Sequence, residues 1–148
     1  MSELKTRISD AVKAAMRAGE KTRLGTLRMM SAAIKQKEVD ERRELSDADL
    51  LAILDKMVKQ RRESLEQYEA AGRDELAAVE HAEIAIIAEF LPQPLSDSEI
   101  DALIEQAIAD SGAESVRDMG KVMAQVKPQA QGRADMGAVS ARVKARLS

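Results

Sequence analysis

The chain has 148 residues, 45% of them apolar and 33% charged, with a formal net charge of −3; this is enough apolar material for one ordinary domain or two small helical ones. Cysteine is absent, which excludes disulfides, thiolate catalysis and cysteine-ligated zinc or iron–sulfur clusters. Tyr68 and Phe90 are the aromatic residues, so there is little on which to stack unpaired bases, and sequence-specific reading of single-stranded RNA is disfavoured.

Ala, Leu, Glu, Lys, Arg and Met dominate, which is the composition of helices rather than strands, and the expectation is an all-α protein. The N-terminal segment is amphipathic without an apolar centre, and no apolar run approaches the ~20 residues that span a bilayer. No membrane association is expected, and a cytoplasmic location is the default reading.

Leu4, Ile8, Ala11/Val12 and Ala15/Met16 predict a first helix over about residues 2–18, stopped by Gly19. A second begins near Glu20 or Lys21 with Leu24, Leu27, Met30 and Ile34 inward, and the charge-dense stretch 35–44 reads as an exposed helix end and loop. Ser46 to Asp49 reads as a capping arrangement, with Asp at the fourth place, ahead of a third helix over about 47–71. Asp74 reads as the cap of a fourth, which must end before Pro92.

Leu91-Pro-Gln-Pro-Leu-Ser96 stiffens the chain and is the expected boundary between an N-terminal helical domain, 1–91, of about four helices and a three-helix C-terminal domain, 92–148. Ser96 and Glu99 form a capping box ahead of Ile100, Leu103, Ile104, Ala107 and Ile108, closed by Gly112. Ser115 to Asp118 opens a sixth helix that Pro128 should stop, and Asp135 opens a seventh.

Charge is segregated. Residues 74–115 hold eleven acids and no Lys or Arg, whereas residues 117–148 hold seven bases against Asp118 and Asp135. The acidic helices either pack beside basic ones or turn a negative surface away from an anionic partner. Asp47/Asp49 and Glu80/Glu83 read as caps and solvated faces, His81 as a surface histidine, and the methionines as core filler. Lys56, Lys59, Arg61 and Arg62 lie close enough to Asp55, Glu63 and Glu66 for pairing within one helix. No catalytic residue, metal site or cofactor is expected.

The C-terminal segment carries the functional signal. Gly120 and Gly137 interrupt helical patterns at a cost of about 1 kcal/mol each relative to Ala, and Gly132 sits in a loop without acids. Cations in a last turn favour the helix dipole, which accounts for Arg142, Lys144 and Arg146. It does not account for Lys121, Lys127 and Arg133. A nucleic-acid backbone would account for all six, with Gly120, Gly132 and Gly137 allowing close backbone approach. About five such phosphate contacts predict a log–log salt slope near −4.

Four motifs, Leu24 to Met30, Leu91 to Ile100, Asp118 to Met123 and Gly132 to Asp135, carry a resemblance. The chain resembles the YqeY-like family, whose C-terminal part is similar to the tail domain of GatB, the tRNA-binding subunit of the glutamine-dependent aspartyl/glutamyl-tRNA amidotransferase. The resemblance implies a two-part helical protein, with tRNA or amidotransferase subunits as partners and the tail's basic positions on Lys121, Lys127 and Arg133. A label of carbon–nitrogen ligase activity with glutamine as nitrogen donor would be inherited from a subunit; the catalytic portion of GatB has no counterpart here. The leading expectation is therefore a non-catalytic tRNA-binding or amidotransferase-associated accessory protein. The alternative is a helical protein-interaction module with no RNA role.

Overall fold

Local caps and amphipathic spacing produce a chain of helices. In the computed structural model, which describes residues 2–148, these are α1 (Glu3–Ala18), α2 (Lys21–Glu41), α3 (Asp47–Ala70), α4 (Asp74–Ala88), α5 (Asp97–Ser111), a 3-10 turn (Val116–Asp118), α6 (Met119–Ala130) and α7 (Met136–Leu147). No strand occurs among the described residues.

The caps follow the sequence closely. Ser46 and Ser96 each accept a hydrogen bond from the backbone N–H three residues on, while Asp49 and Glu99 reach back to the serine amides, so orphan donors at both helix starts are satisfied reciprocally. Gly19 and Gly112 end α1 and α5 in the left-handed conformation, each at φ 69°.

The segment 35–44 is an exposed helix end and loop, as expected: α2 runs on to Glu41, helped by a Lys37–Glu41 pair at 2.9 Å and a Lys5–Glu38 bridge to α1 at 2.8 Å. Two local expectations are corrected. Asp74 is the first residue of α4 rather than its cap, since Arg73 occupies that place with no side-chain cap bond. Pro128 does not stop α6; it lies inside the helix, two residues from its end. So near the terminus proline forfeits a single backbone bond, and the turn is held by fully buried Ala130 and by Gln131 N–H donating to Lys127 O at 2.9 Å.

The chain divides into two compact units between Leu91 and Pro92, each with its own apolar core. In the N-terminal unit, α1 to α4 close over Ile8, Leu27, Met30, Leu50, Leu54 and Ile87, all 1% exposed or less. Burying each such side chain stabilises the fold by about 1.5–3 kcal/mol before entropy is counted. Met16, expected inward, is 54% exposed; it lies at the edge of the stripe that Ile8 and Ala15 centre. In the C-terminal unit, α5 to α7 close over Ile104, Val122, Val126, Ala130, Val139 and Val143.

Candidate nucleic-acid interface

The six basic positions expected to contact phosphates fall into three structural classes. Arg142 and Arg146 lie one helical turn apart on α7 and meet acids spaced by one turn on α5. Arg142 approaches Asp97 at 3.2 Å and Asp101 at 3.8 Å, and Arg146 donates through Nη2 to Glu105 at 3.0 Å, with a second, shorter contact from Nε to the same carboxylate. Hydrogen bonding to Glu105 raises the pKa of Arg146. The acidic helix therefore packs beside the basic one, and these arginines are engaged within the unit.

Arg133 is engaged differently. Its Nε donates to the carbonyl of Gln93 at 3.0 Å, and its own carbonyl accepts from Leu95 N–H at 2.8 Å. Gly132 beside it is buried and adopts φ 78°, a left-handed backbone that only glycine takes without cost. The Leu91–Ser96 and Gly132–Asp135 motifs, far apart in sequence, thus close on one another, and the guanidinium serves as a clamp on the segment leading into α5.

Lys121, Lys127 and Lys144 form the third class. Lys121 is 69% exposed and reaches Asp118 only at 3.9 Å. Asp118 is occupied elsewhere: its Oδ2 accepts the N–H groups of Glu114 at 3.0 Å and Ser115 at 3.4 Å, which hold its pKa below the usual carboxylate range. Lys127 and Lys144 are exposed and have no acidic partner among the described residues. A short 131–135 connection joins α6 and α7, and along the chain Lys127 lies nearer to it than Lys121 and Lys144 do.

The glycines separate too. A Cβ built on Gly120 meets no atom within 4 Å, and one on Gly137 meets only Asp135 Oδ1 at 3.4 Å. Gly137 N–H donates to that same oxygen at 3.1 Å, so Asp135 caps α7 with Met136 between them. Packing within the chain does not require a bare backbone at Gly120, which is exposed.

Elsewhere, Arg61 of α3 pairs across to α4 rather than along its own helix. Arg61 donates Nε to Glu83 of α4 at 2.7 Å, and Arg23 of α2 meets Glu89 at 2.6 Å. Glu83 is thus not a solvated-face residue, and Glu80 has an oxygen removed from solvent. His81 is 64% exposed, 3.3 Å from Glu69. Among the described residues no group of three His, Asp or Glu is placed to hold a metal, and no helix is long and apolar enough to cross a membrane.

The sequence profile of the Yqey-like protein family matches residues 5–147. The chain belongs to the YqeY-like family. Curated relatives carry the name "Altered inheritance of mitochondria protein 41, mitochondrial". That of Pyrenophora tritici-repentis is 28% identical over 130 residues, covering 86% of this chain and 71% of the relative. That of Eremothecium gossypii is 34% identical over 122 residues, covering 78% of this chain and 65% of the relative. The Saccharomyces cerevisiae protein of strain YJM789 is 33% identical over 91 residues, 61% of this chain and 49% of the relative. The matched region thus spans about half to seven tenths of these relatives' length.

The name of these relatives places them in mitochondria, which overturns the expectation of a cytoplasmic location. That expectation came from the lack of cysteine and of an apolar leader. Neither feature distinguishes cytoplasm from an organelle interior, because organelle targeting segments are amphipathic rather than apolar.

Proposed function

We propose that the chain is a non-catalytic accessory protein that binds tRNA through its C-terminal unit, a counterpart of the GatB tail, alone or beside amidotransferase subunits. The observation that carries this reading is the α6–α7 pair: Lys127 and Lys144 without acidic partners, Lys121 only loosely held, and an exposed, uncrowded Gly120 beside Lys121. Exposed lysines on flexible stems neutralise phosphates without reading sequence, which suits a chain nearly devoid of aromatic residues.

The contact set is smaller than the sequence suggests. With Arg142 and Arg146 committed to α5 and Arg133 to Gln93, about three phosphate contacts remain, and the log–log slope of tRNA affinity against salt should lie near −3 rather than −4. Lys127→Glu with Lys144→Glu should abolish binding at low salt, while Arg142→Gln should leave the slope unchanged. A wild-type chain that shows no micromolar affinity for tRNA at low salt removes the reading.

A further inference from the structure

Between α2 and α4 the N-terminal unit carries an open groove of about 600 Å³, whose lining includes Gly25, Met29, Val79 and Ala82. Met29 is 40% exposed and Val79 52%, whereas Met30 and Met57 are buried. Small residues leave the approach to Met29 open: a Cβ built on Gly25, one turn before it, meets no atom within 4 Å.

A cation sits against the Met29 sulfur. Arg61 reaches over from α3 and directs its three nitrogens at three different groups. Nε donates to Glu83 at 2.7 Å, Nη1 to the Met57 carbonyl at 3.1 Å, and Nη2 to the Met29 sulfur at 3.7 Å. The first two acceptors are oxygens, one of them charged. The third is a thioether, which accepts only weakly. The guanidinium is thus held in place by Glu83 and Met57 while one of its charged donors faces a partner that uses little of it. Met16 provides the contrast. It is the more exposed of the two methionines, and no hydrogen bond reaches its sulfur among the described residues.

We infer that Met29 is an oxidation site, at which hydrogen peroxide converts the thioether to a sulfoxide that Arg61 receives. The sulfur lone pair attacks one peroxide oxygen, the S–O bond forms as the O–O bond breaks, and sulfur gives up two electrons. The other oxygen departs as hydroxide, takes a proton from solvent and becomes water. Arg61 acts twice. As the O–O bond breaks, negative charge gathers on the departing oxygen, and a guanidinium N–H beside the sulfur stabilises it. Afterwards the sulfoxide oxygen is a strong acceptor, and Nη2, 3.7 Å from the sulfur, is close enough to donate to it without releasing Glu83. A polar group then replaces the apolar sulfur in the groove wall. The site stands apart from the tRNA reading, since Met29, Arg61 and Glu83 all belong to the N-terminal unit.

Timed exposure of the full chain to hydrogen peroxide, with the sulfoxide at each methionine read by peptide mass, tests it. Met29 should oxidise faster than Met16 despite its lower exposure, and the buried Met30 and Met57 should follow last. Arg61→Gln should slow Met29 about fivefold relative to Met16, the effect of losing one charge-assisted hydrogen bond in the transition state. The direction is diagnostic, because loosened packing by itself speeds oxidation at Met29 and only loss of the donor slows it. Should Arg61→Gln lose helicity by circular dichroism, combining it with Glu83→Leu removes the stranded carboxylate and repeats the comparison on a folded chain. A wild-type Met29 rate at or below that of Met16 overturns the inference. So does a Met29-to-Met16 ratio that loss of the Arg61 guanidinium leaves unchanged or raises.

Discussion

Arg133 and Gln93, forty positions apart, are joined by a guanidinium-to-carbonyl hydrogen bond of 3.0 Å, and Leu95 N–H returns a bond to the Arg133 carbonyl at 2.8 Å. A lysine has neither the planar fork nor the fixed reach to replace this geometry. Arg133→Ala and Arg133→Lys should both lower stability by about 1 kcal/mol, read as a lower denaturant midpoint. The salt slope of tRNA affinity should not change. A variant with wild-type stability and a reduced slope would return Arg133 to the phosphate contacts.

Gly120 and Gly132 should respond to alanine with opposite signs. Gly132 is buried at φ 78°, where a Cβ costs about 1–2 kcal/mol. Gly120 is helical, exposed and uncrowded, where alanine should stabilise by about 0.5–1 kcal/mol. If the bare backbone at Gly120 serves an RNA phosphate, the stabilised variant binds tRNA more weakly; thermal melts and binding isotherms on the same samples separate the two effects.

The Arg61–Glu83 pair is the most enclosed ion pair among the described residues, with side chains 14% and 19% exposed. Arg61 also donates to Met57 O at 3.1 Å, so the guanidinium ties α3 to α4 with several donors used. Arg61→Ala should cost about 2 kcal/mol because it leaves a partly buried carboxylate unpaired. Adding Glu83→Leu should recover part of that loss, and a double-mutant cycle by urea unfolding measures the coupling.

Acid should destabilise the chain through its capping carboxylates. Asp49 is held well below the usual carboxylate range by Arg43 and then by the Ser46 amide and hydroxyl, and Glu99 is lowered by the Ser96 amide and hydroxyl. A depressed native pKa means stability that is fully present above the unfolded value and is lost as pH falls through the native one. The melting temperature should therefore hold from neutrality down to about pH 5 and drop below about pH 4. Asp49→Asn and Glu99→Gln should each lower the neutral-pH value and shrink the acid-induced drop, measured by calorimetry across that range.

Local features of this chain are legible because their causes are local. Ser46 with Asp49, Ser96 with Glu99, and Gly19 and Gly112 at helix ends act over three or four residues. The spacing of Ile100, Ile104 and Ala107 predicts which face of α5 is buried. The candidate site was legible only as a composition: six cations and three glycines could be named, but not sorted. Arg142 and Arg146 find acids 45 and 41 positions away, and no spacing rule reaches that far. The groove with exposed Met29 and Val79 was missed for the same reason, since the methionines and valines of amphipathic helices read as core until their neighbours are placed.

By itself the sequence determined an all-helical chain and most of its helix caps, because hydrogen bonding at helix ends and apolar periodicity are properties of neighbouring residues. Tertiary structure alone decided which charges are consumed and which are free. It set α5 against α7, so that Arg142 and Arg146 are spent on carboxylates, and folded the 132–135 turn onto the segment entering α5, so that Arg133 became a clamp. It also carried α6 past Pro128 to the buried Ala130. Lys121, Lys127 and Lys144 remain available to an anion because packing brought no acid close enough to bind them tightly.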